Sequence, residues 1–243
     1  MSRHYGKAGK SARVMAEERF KYVYWVAGGF FLIGVLIFLN IGNFIKVGFF
    51  GTAIILFLIM QGVNRVEKKA LAVKNRAKDA ERGAVAEEKV ADELAKLPEG
   101  YHIFNDVDFK GFNVDHIVVG PVGIILVETK SHRGRVTAED DNLFLNGKPP
   151  AKNFLNQCWR QSKELEGFLY RQTSKEWKVK PILCLTNAFI QVRRPVKGVV
   201  VSNIGYLLRA IMQQPENMAK EDIEHLAQVL RFWITRHETE GIK

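Results

Sequence analysis

The residue types best suited to chemistry lie in two apolar runs, 113–119 and 124–130, that are joined by a short turn. Asp115 interrupts the first run, and Glu128 and Lys130 lie near the end of the second. Both runs are rich in branched apolar residues and the turn contains glycine and proline, which predicts a β-hairpin. If the runs pair directly across the turn, Asp115 lies opposite Glu128, on the same face as Lys130.

Two carboxylates that face each other across paired strands repel, so a positive charge is expected between them. Lys130 is one candidate and a divalent cation is the other. Mg²⁺ binds oxygen ligands, usually one or two carboxylates together with water and substrate phosphate. The pattern therefore suits metal-assisted hydrolysis of a phosphodiester, in which the metal lowers the pKa of a bound water. A structural salt bridge between Lys130 and one acid is the alternative.

Two predicted helices carry polar residues that could join this site. Glu87 falls in line with the apolar stripe of the first helix, where a charge is costly unless it is paired or bound to metal. It is a candidate third acid; the alternative is a solvated residue at the edge of the stripe. Asn153 can cap the second helix, which is expected to run to about Thr173. Gln157 on that helix could hold a phosphate or a metal-bound water, although an exposed polar face explains it almost as well.

Other polar residues are weaker candidates for the site. His116 points away from Asp115 and is expected to be a core or interface histidine. Arg133 and Arg135 follow Lys130 in a predicted loop and are candidates for contacts with backbone phosphate. Arg193 and Arg194 belong to a second basic loop, which could touch nucleic acid or simply be solvated.

The hairpin resembles the central motif of the PD-(D/E)xK nucleases, and more closely the nuclease-related domain, NERD, a branch of that superfamily. The likeness extends upstream to 83–90 and downstream to 153–157, and it covers roughly 83–203. Ala86 and Phe154 depart from the family pattern, where a glycine and a proline are common, but neither change removes a charged or metal-binding group. The resemblance implies an α/β restriction-endonuclease-like fold, a mixed sheet flanked by helices.

The same resemblance implies roles for individual residues. Mg²⁺ or Mn²⁺ would be bound by Asp115, Glu128 and the main-chain carbonyl of Thr129, with Glu87 supporting the metal from its helix. Lys130 would position or activate water, and Gln157 is associated with the active site. The implied reaction is phosphodiester hydrolysis, with DNA as the expected substrate.

The first quarter of the chain predicts a transmembrane helical hairpin at 22–63. No residue of 22–39 is charged, and Lys46 is the only charge in 44–63, so each segment approaches the length of one bilayer crossing. Basic residues flank both segments and the loop between them is uncharged, which places both termini in the cytoplasm by the positive-inside rule. A cleaved signal peptide is disfavoured, because the basic segment before 22 is long and no small-residue cleavage pattern separates the two apolar segments. A buried soluble hairpin is the alternative.

The 243 residues divide into a basic cytoplasmic N-terminus (1–21), the hairpin (22–63), a basic juxtamembrane helix (64–82), the nuclease-like domain (83–203) and C-terminal helices (204–243). The net charge of +10 suits a polyanionic partner, although membrane topology accounts for part of it. The sequence thus predicts a multi-pass protein of the bacterial inner membrane that presents a metal-dependent nuclease to the cytoplasm. The alternative is a catalytically inactive, membrane-tethered module for nucleic-acid binding or scaffolding. A homo-oligomer or a larger membrane complex is a further expected partner.

Overall fold

A computed structural model of the chain describes residues 2–39 and 48–240. The chain divides into two compact units. One unit contains Met1–Lys10 together with Gly83–Lys243, and the other contains Ser11–Arg82. The acids of the predicted site belong to the first of these units.

Two long helices contain the described parts of the segments predicted to cross a membrane. Helix α1 spans Lys10–Leu39 and helix α2 spans Gly48–Leu94, so the predicted juxtamembrane helix continues without a break into the helix of Glu87. Residues 40–47, which include the predicted loop and Lys46, lie outside the described residues. Among the residues that are described, no helix is long and apolar enough to cross a membrane. The transmembrane hairpin is therefore not supported.

The larger unit is built on a mixed sheet, which has seven strands within the described residues. The strands are β1 (Arg3–Tyr5), β2 (His102–Asp108), β3 (Asn113–Gly120), β4 (Gly123–Glu139), β5 (Asn142–Leu145), β6 (Val179–Ile190) and β7 (Val200–Ser202). Strands β2, β3 and β4 form an antiparallel meander, while β1 joins β2, β6 joins β4 and β7 joins β6 in parallel. Strand β5 pairs with the far half of β4.

Helices cover both faces of this sheet, because alternate side chains of β3 and β4 are apolar on each side. On one face Ile117 and Leu126 pack with Leu165 of helix α3 (Phe154–Thr173) and Leu226 of helix α5 (Lys220–Glu240). On the other face the cluster joins Val118, Ile125 and Val127 to Val90 and Leu94 of α2 and to Leu207 and Ile211 of helix α4 (Ile204–Met212). The α/β fold predicted from the sequence, a mixed sheet between helices, is confirmed.

The β3–β4 hairpin has the predicted register. Val119 pairs with Ile124 and His116 pairs with Val127. Gly123 closes the turn with φ +106°, a conformation that favours glycine. Gly120 allows the ring of Tyr101 to approach, since an added Cβ would lie 2.3 Å from Tyr101 Cδ1.

Two features of the sheet differ from the sequence prediction. Strand β1, at the extreme N-terminus, is not predicted by any local pattern. Arg133 and Arg135 were expected in a loop, but they lie on β4, paired with Asn187 and Phe189 of β6. The pairing shifts register between Lys130 and Arg133, and the strand then continues because β6 pairs with it again from Arg133 to Val136.

Candidate active site

Asp115 and Glu128 approach each other across β3 and β4 on the face that α3 covers. The observed register ends at His116 and Val127, and one further step places Asp115 opposite Glu128. By alternation, Lys130 shares this face with both acids. The hairpin therefore brings together the three residues from which the site was predicted.

Glu128 is almost completely buried, with 1 % of its surface exposed. Its Oε1 accepts hydrogen bonds from Nζ of Lys130 and, at 2.6 Å, from Nε2 of Gln157 on α3. Its Oε2 is also buried and has no hydrogen-bond partner among the described residues. A buried carboxylate oxygen without a partner is costly, so this atom is suited to bind a group that a bare protein chain does not contain.

Lys130 is held by more than its ion pair. Its Nζ lies 5.6 Å from the ring centroid of Phe154, the first residue of α3. Burial lowers the pKa of Lys130, but the charges of Glu128 and Asp115 and the hydrogen bond to Glu128 outweigh it and raise that pKa overall. Lys130 therefore stays a cation at neutral pH.

Asp115 is partly exposed, and its Oδ2 accepts a hydrogen bond of 2.7 Å from the main-chain N–H of Thr129. Desolvation raises the pKa of Asp115 well above its ordinary value, and the charges of Glu128 and Glu87 raise it further. Lys130 and the Thr129 N–H act in the opposite direction. The carboxylates thus repel one another strongly enough that a bound cation would stabilise their charged forms.

Glu87, on α2, lies close enough to the site for the charges of Glu128 and Lys130 to change its pKa. Burial raises the pKa of Glu87, and the charges of Asp106 and Glu128 act in the same direction. A hydrogen bond that the carboxylate accepts from the main-chain N–H of Gly9 lowers the pKa, as does the charge of Lys130, and the net result is a pKa of about 7. A carboxyl group with this pKa exchanges a proton near neutral pH, which suits general acid–base chemistry.

Asp106 is a fourth acid, which the sequence reasoning missed. It lies in β2 between the pairs Asn105–His116 and Val107–Val114, and is therefore level with Asp115. Its φ is +51°, and its Oδ1 accepts a hydrogen bond of 2.9 Å from Nδ2 of Asn113. Pairing β2 with β3 in the sequence would have found it, because the Lys110-Gly111 turn fixes that register.

Two other polar side chains, those of Gln161 and His116, have structural contacts near the site. Gln161 is buried and its Nε2 donates to the main-chain carbonyl of Asn113, so it supports β3. His116 is in the core as predicted, with Nδ1 2.9 Å from Oδ1 of Asn105. Burial lowers the pKa of His116 to about 3, so it is neutral.

The four candidate arginines are all exposed. Arg133 and Arg135 lie on β4, the strand that also carries Glu128 and Lys130, and Arg193 and Arg194 lie in the segment between β6 and β7. None of the hydrogen bonds described above for the acids involves them. Their position permits contacts with a phosphate backbone that extends beyond the acids.

The donor set fits a hard divalent cation. Asp115, Oε2 of Glu128 and the Thr129 carbonyl supply oxygen atoms, the ligands that Mg²⁺ and Mn²⁺ prefer. Within residues 2–39 and 48–240, no group of three or more His, Cys, Asp or Glu side chains is arranged to hold one ion. A cation here would thus be bound by few protein side chains, and Glu87 fits as a group that acts through water.

The geometry agrees with a comparison against protein families. Residues 82–186 match the model of NERD, the nuclease-related domain. No curated protein matches the sequence. The matched part of the chain contains the four acids and Lys130, so the candidate site lies within the segment that is similar to a nuclease-related domain.

Proposed function

We propose that this protein is a metal-dependent nuclease that hydrolyses phosphodiester bonds, with DNA as its substrate. The observation that carries the proposal is the pair Asp115 and Glu128, opposite each other, with Lys130 beside them and a buried oxygen of Glu128 without a partner. The match of residues 82–186 to a nuclease-related domain supports the reaction class.

The residues of the site have distinct tasks in this proposal. Asp115, Glu128 and the Thr129 carbonyl would hold Mg²⁺ or Mn²⁺, which, when bound, makes a water nucleophilic and stabilises charge on the phosphoryl group. The Thr129 N–H fixes the carboxylate of Asp115, and Gln157 fixes that of Glu128. Lys130 offers a fixed positive charge to the attacking water or the phosphate. Glu87, with a pKa of about 7, can take up or release a proton at neutral pH.

The direct test incubates the purified full-length protein with linear, circular and single-stranded DNA and with RNA, with Mg²⁺ or with chelator. The decisive variant is Asp115→Asn, which keeps an oxygen to accept from the Thr129 N–H but loses the charge. Cleavage should fall by roughly 100-fold or more, since a charged ligand of the proposed metal ion is lost and with it the metal's stabilisation of the transition state. The melting temperature should hold or rise because a repelling carboxylate is gone.

The control variant is Asp141→Asn, an exposed acid in the turn between β4 and β5 with φ +60°, a conformation that asparagine tolerates. It should cleave like the wild type. Metal-dependent cleavage that survives in Asp115→Asn would refute the site, and RNA as the only substrate would refute the choice of DNA.

A second candidate function is binding of nucleic acid without turnover. The ion pair between Lys130 and Glu128 favours it, because this internal cation neutralises one acid without a metal. In that case the protein binds nucleic acid in a salt-sensitive way, and chelator changes nothing.

Location in the bacterial inner membrane is a separate proposal that rests on the sequence of residues 22–63 and has no support from the described helices. Assembly into a homo-oligomer or a larger membrane complex is likewise a prediction from the sequence. Alkaline extraction of cell membranes tests the location, since a spanning protein remains in the pellet and a peripheral one is released.

A further inference from the structure

The first residues of the chain are part of the nuclease-like unit, although two long helices separate them from it in sequence. Strand β1 pairs in parallel with β2, with Arg3 level with His102 and Tyr5 level with Phe104. The main-chain N–H of Arg3 donates to the carbonyl of Tyr101 at 3.0 Å. The hydroxyl of Ser2 donates to the carbonyl of Ala95, also at 3.0 Å.

Side chains of β2 and α5 contact this strand. The ring of Tyr5 stacks on Phe104 with centroids 4.9 Å apart, and the guanidinium of Arg231 on α5 lies 5.1 Å from the centre of the Tyr5 ring. Stacking and cation–π contacts of this kind each stabilise an edge strand modestly. The N-terminal strand is therefore held by contacts along its length.

At two glycines, Gly6 and Gly9, the main chain then passes close to residues that neighbour Asp106 and Glu87 in sequence. Gly6 has φ +76°, and a Cβ there would lie 2.2 Å from the carbonyl oxygen of Asn105, the residue before Asp106. Gly9 has φ +73°, and a Cβ there would lie 2.9 Å from the carbonyl oxygen of Ala84, one turn before Glu87 on α2. Both positions require glycine for backbone conformation and for space.

This approach delivers a hydrogen-bond donor to Glu87. The main-chain N–H of Gly9 donates to the Glu87 carboxylate, which otherwise faces the negative charges of Asp106 and Glu128. A hydrogen bond to a carboxylate is stronger than one between neutral groups, and it fixes the direction of the side chain. Without it, repulsion would favour rotamers of Glu87 that point away from the other acids.

We propose that Gly9 is a positioning residue of the acid site, and that strand β1 and Gly6 hold its N–H where Glu87 needs it. The chain leaves the larger unit after Lys10 and returns at Gly83, so the donor and the acceptor of this hydrogen bond lie at opposite ends of the second unit in sequence. The site is thus completed by a segment outside the matched nuclease-related domain. The link to cation binding rests on the proposed function; the hydrogen bond itself does not.

The test compares Gly9→Ala with Gly111→Ala in the full-length protein. Gly111 is an exposed glycine with nothing within 4 Å of an added Cβ. Binding of Mn²⁺ is measured by electron paramagnetic resonance below the melting temperature of each variant. We expect Gly9→Ala to weaken Mn²⁺ binding about 10-fold, the effect of one hydrogen bond to a charged group, and Gly111→Ala to bind like the wild type.

A double-mutant cycle separates positioning from simple destabilisation. In a Glu87→Ala background, Gly9→Ala should cause no further loss of Mn²⁺ affinity, because the carboxylate that the Gly9 N–H positions is absent. An equal loss in both backgrounds would overturn the proposal, and so would wild-type affinity in Gly9→Ala.

A metal-free readout keeps this inference distinct from the proposed function. In ¹⁵N-edited spectra, Glu87→Gln should move the Gly9 amide resonance more than that of Gly111, since an amide oxygen replaces a carboxylate as acceptor. A Gly9 resonance that does not respond overturns the inference even if the protein cleaves DNA. A response in a protein that neither binds Mn²⁺ nor cleaves supports the hydrogen bond, but it overturns both the proposed function and the role in cation binding.

Discussion

At the scale of single residues, the most constrained group is the carboxylate of Glu128. It is buried, it relies on Lys130 and Gln157 for hydrogen bonds to one oxygen, and its other oxygen is without a partner in the described part of the chain. Removing a charge partner from such a group leaves a buried charge uncompensated. Lys130 is therefore needed for stability as well as for the proposed chemistry.

This constraint predicts the effect of Lys130→Met. The free energy of unfolding should fall by about 3–5 kcal/mol, because Glu128 loses its cation in a site where Lys130 itself is only 18 % exposed. The double variant Glu128→Gln with Lys130→Met should recover most of this loss, since no buried charge remains, while cleavage stays absent in both. Urea unfolding provides the free energies. A single variant as stable as the wild type would show that Glu128 has another partner.

The raised pKa of Glu87 predicts how the free energy of unfolding depends on pH in the presence of chelator. Its pKa is raised from 4.5 to about 7 in the folded protein, first by burial and then by Asp106. A carboxyl group with a raised pKa favours the folded state below pH 4.5, and this contribution is lost as pH rises to about 7. Glu87→Gln should therefore gain stability relative to wild type across this window, reaching on the order of 3 kcal/mol above pH 7.

Thermal or urea unfolding between pH 4 and pH 8 measures this difference. The charge variant Glu99→Gln, at an exposed position near the end of the α2–β2 connection, provides the control and should show no such trend. A constant difference between Glu87→Gln and wild type over the whole range would contradict the raised pKa of Glu87.

At the scale of elements, helix α3 connects the hairpin to the amide that orients Glu128. Asn153 caps this helix, since its side chain accepts a hydrogen bond from the N–H of Asn156. The cap sets where the helix begins, and thereby places Phe154 next to Lys130 and Gln157 next to Glu128.

Removing the cap should lower the free energy of unfolding by a measurable amount. Asn153→Ala should lower the free energy of unfolding by about 1 kcal/mol, because one N–H at the helix start loses its acceptor. Asn153→Asp, which keeps an acceptor at the same atom position, should retain stability. Urea unfolding of the three proteins measures both effects, and an alanine variant as stable as the aspartate variant would contradict the role of the cap.

The strands show which pairings can be predicted from the local sequence and which cannot. The β3–β4 register is readable because branched apolar residues and the Gly123 turn specify it locally. The far half of β4 is not readable in this way, since its parallel pairing with β6 joins segments that are far apart in the sequence. Arg133 and Arg135 were therefore assigned to a loop although they lie on a strand.

At the scale of the whole molecule, the net charge of +10 predicts salt-sensitive binding of nucleic acid. If Arg133 and Arg135 contact phosphates, replacing both by alanine should reduce the slope of log affinity against log salt by about 2, roughly one for each contact. Lys220→Ala, an exposed lysine at the start of α5, is the control and should leave the slope unchanged. Fluorescence anisotropy with labelled duplex DNA at several salt concentrations measures the slope. A slope unchanged by the double replacement would place the DNA elsewhere.

The sequence alone determined the helix of Gln157 with its cap and the alignment of Asp115 with Glu128, because these follow from periodicity, turn residues and capping over short distances. The fold class came from the resemblance of the hairpin and its flanking segments to a known family. Only the tertiary structure showed the partnerless oxygen of Glu128 beneath α3 and the hydrogen bond of Gly9 to Glu87. Each of these depends on segments that are far apart in the chain but adjacent in the fold. A one-dimensional pattern carries no direct signal for such pairings, since their energy comes from long-range contacts that form only when the whole unit folds.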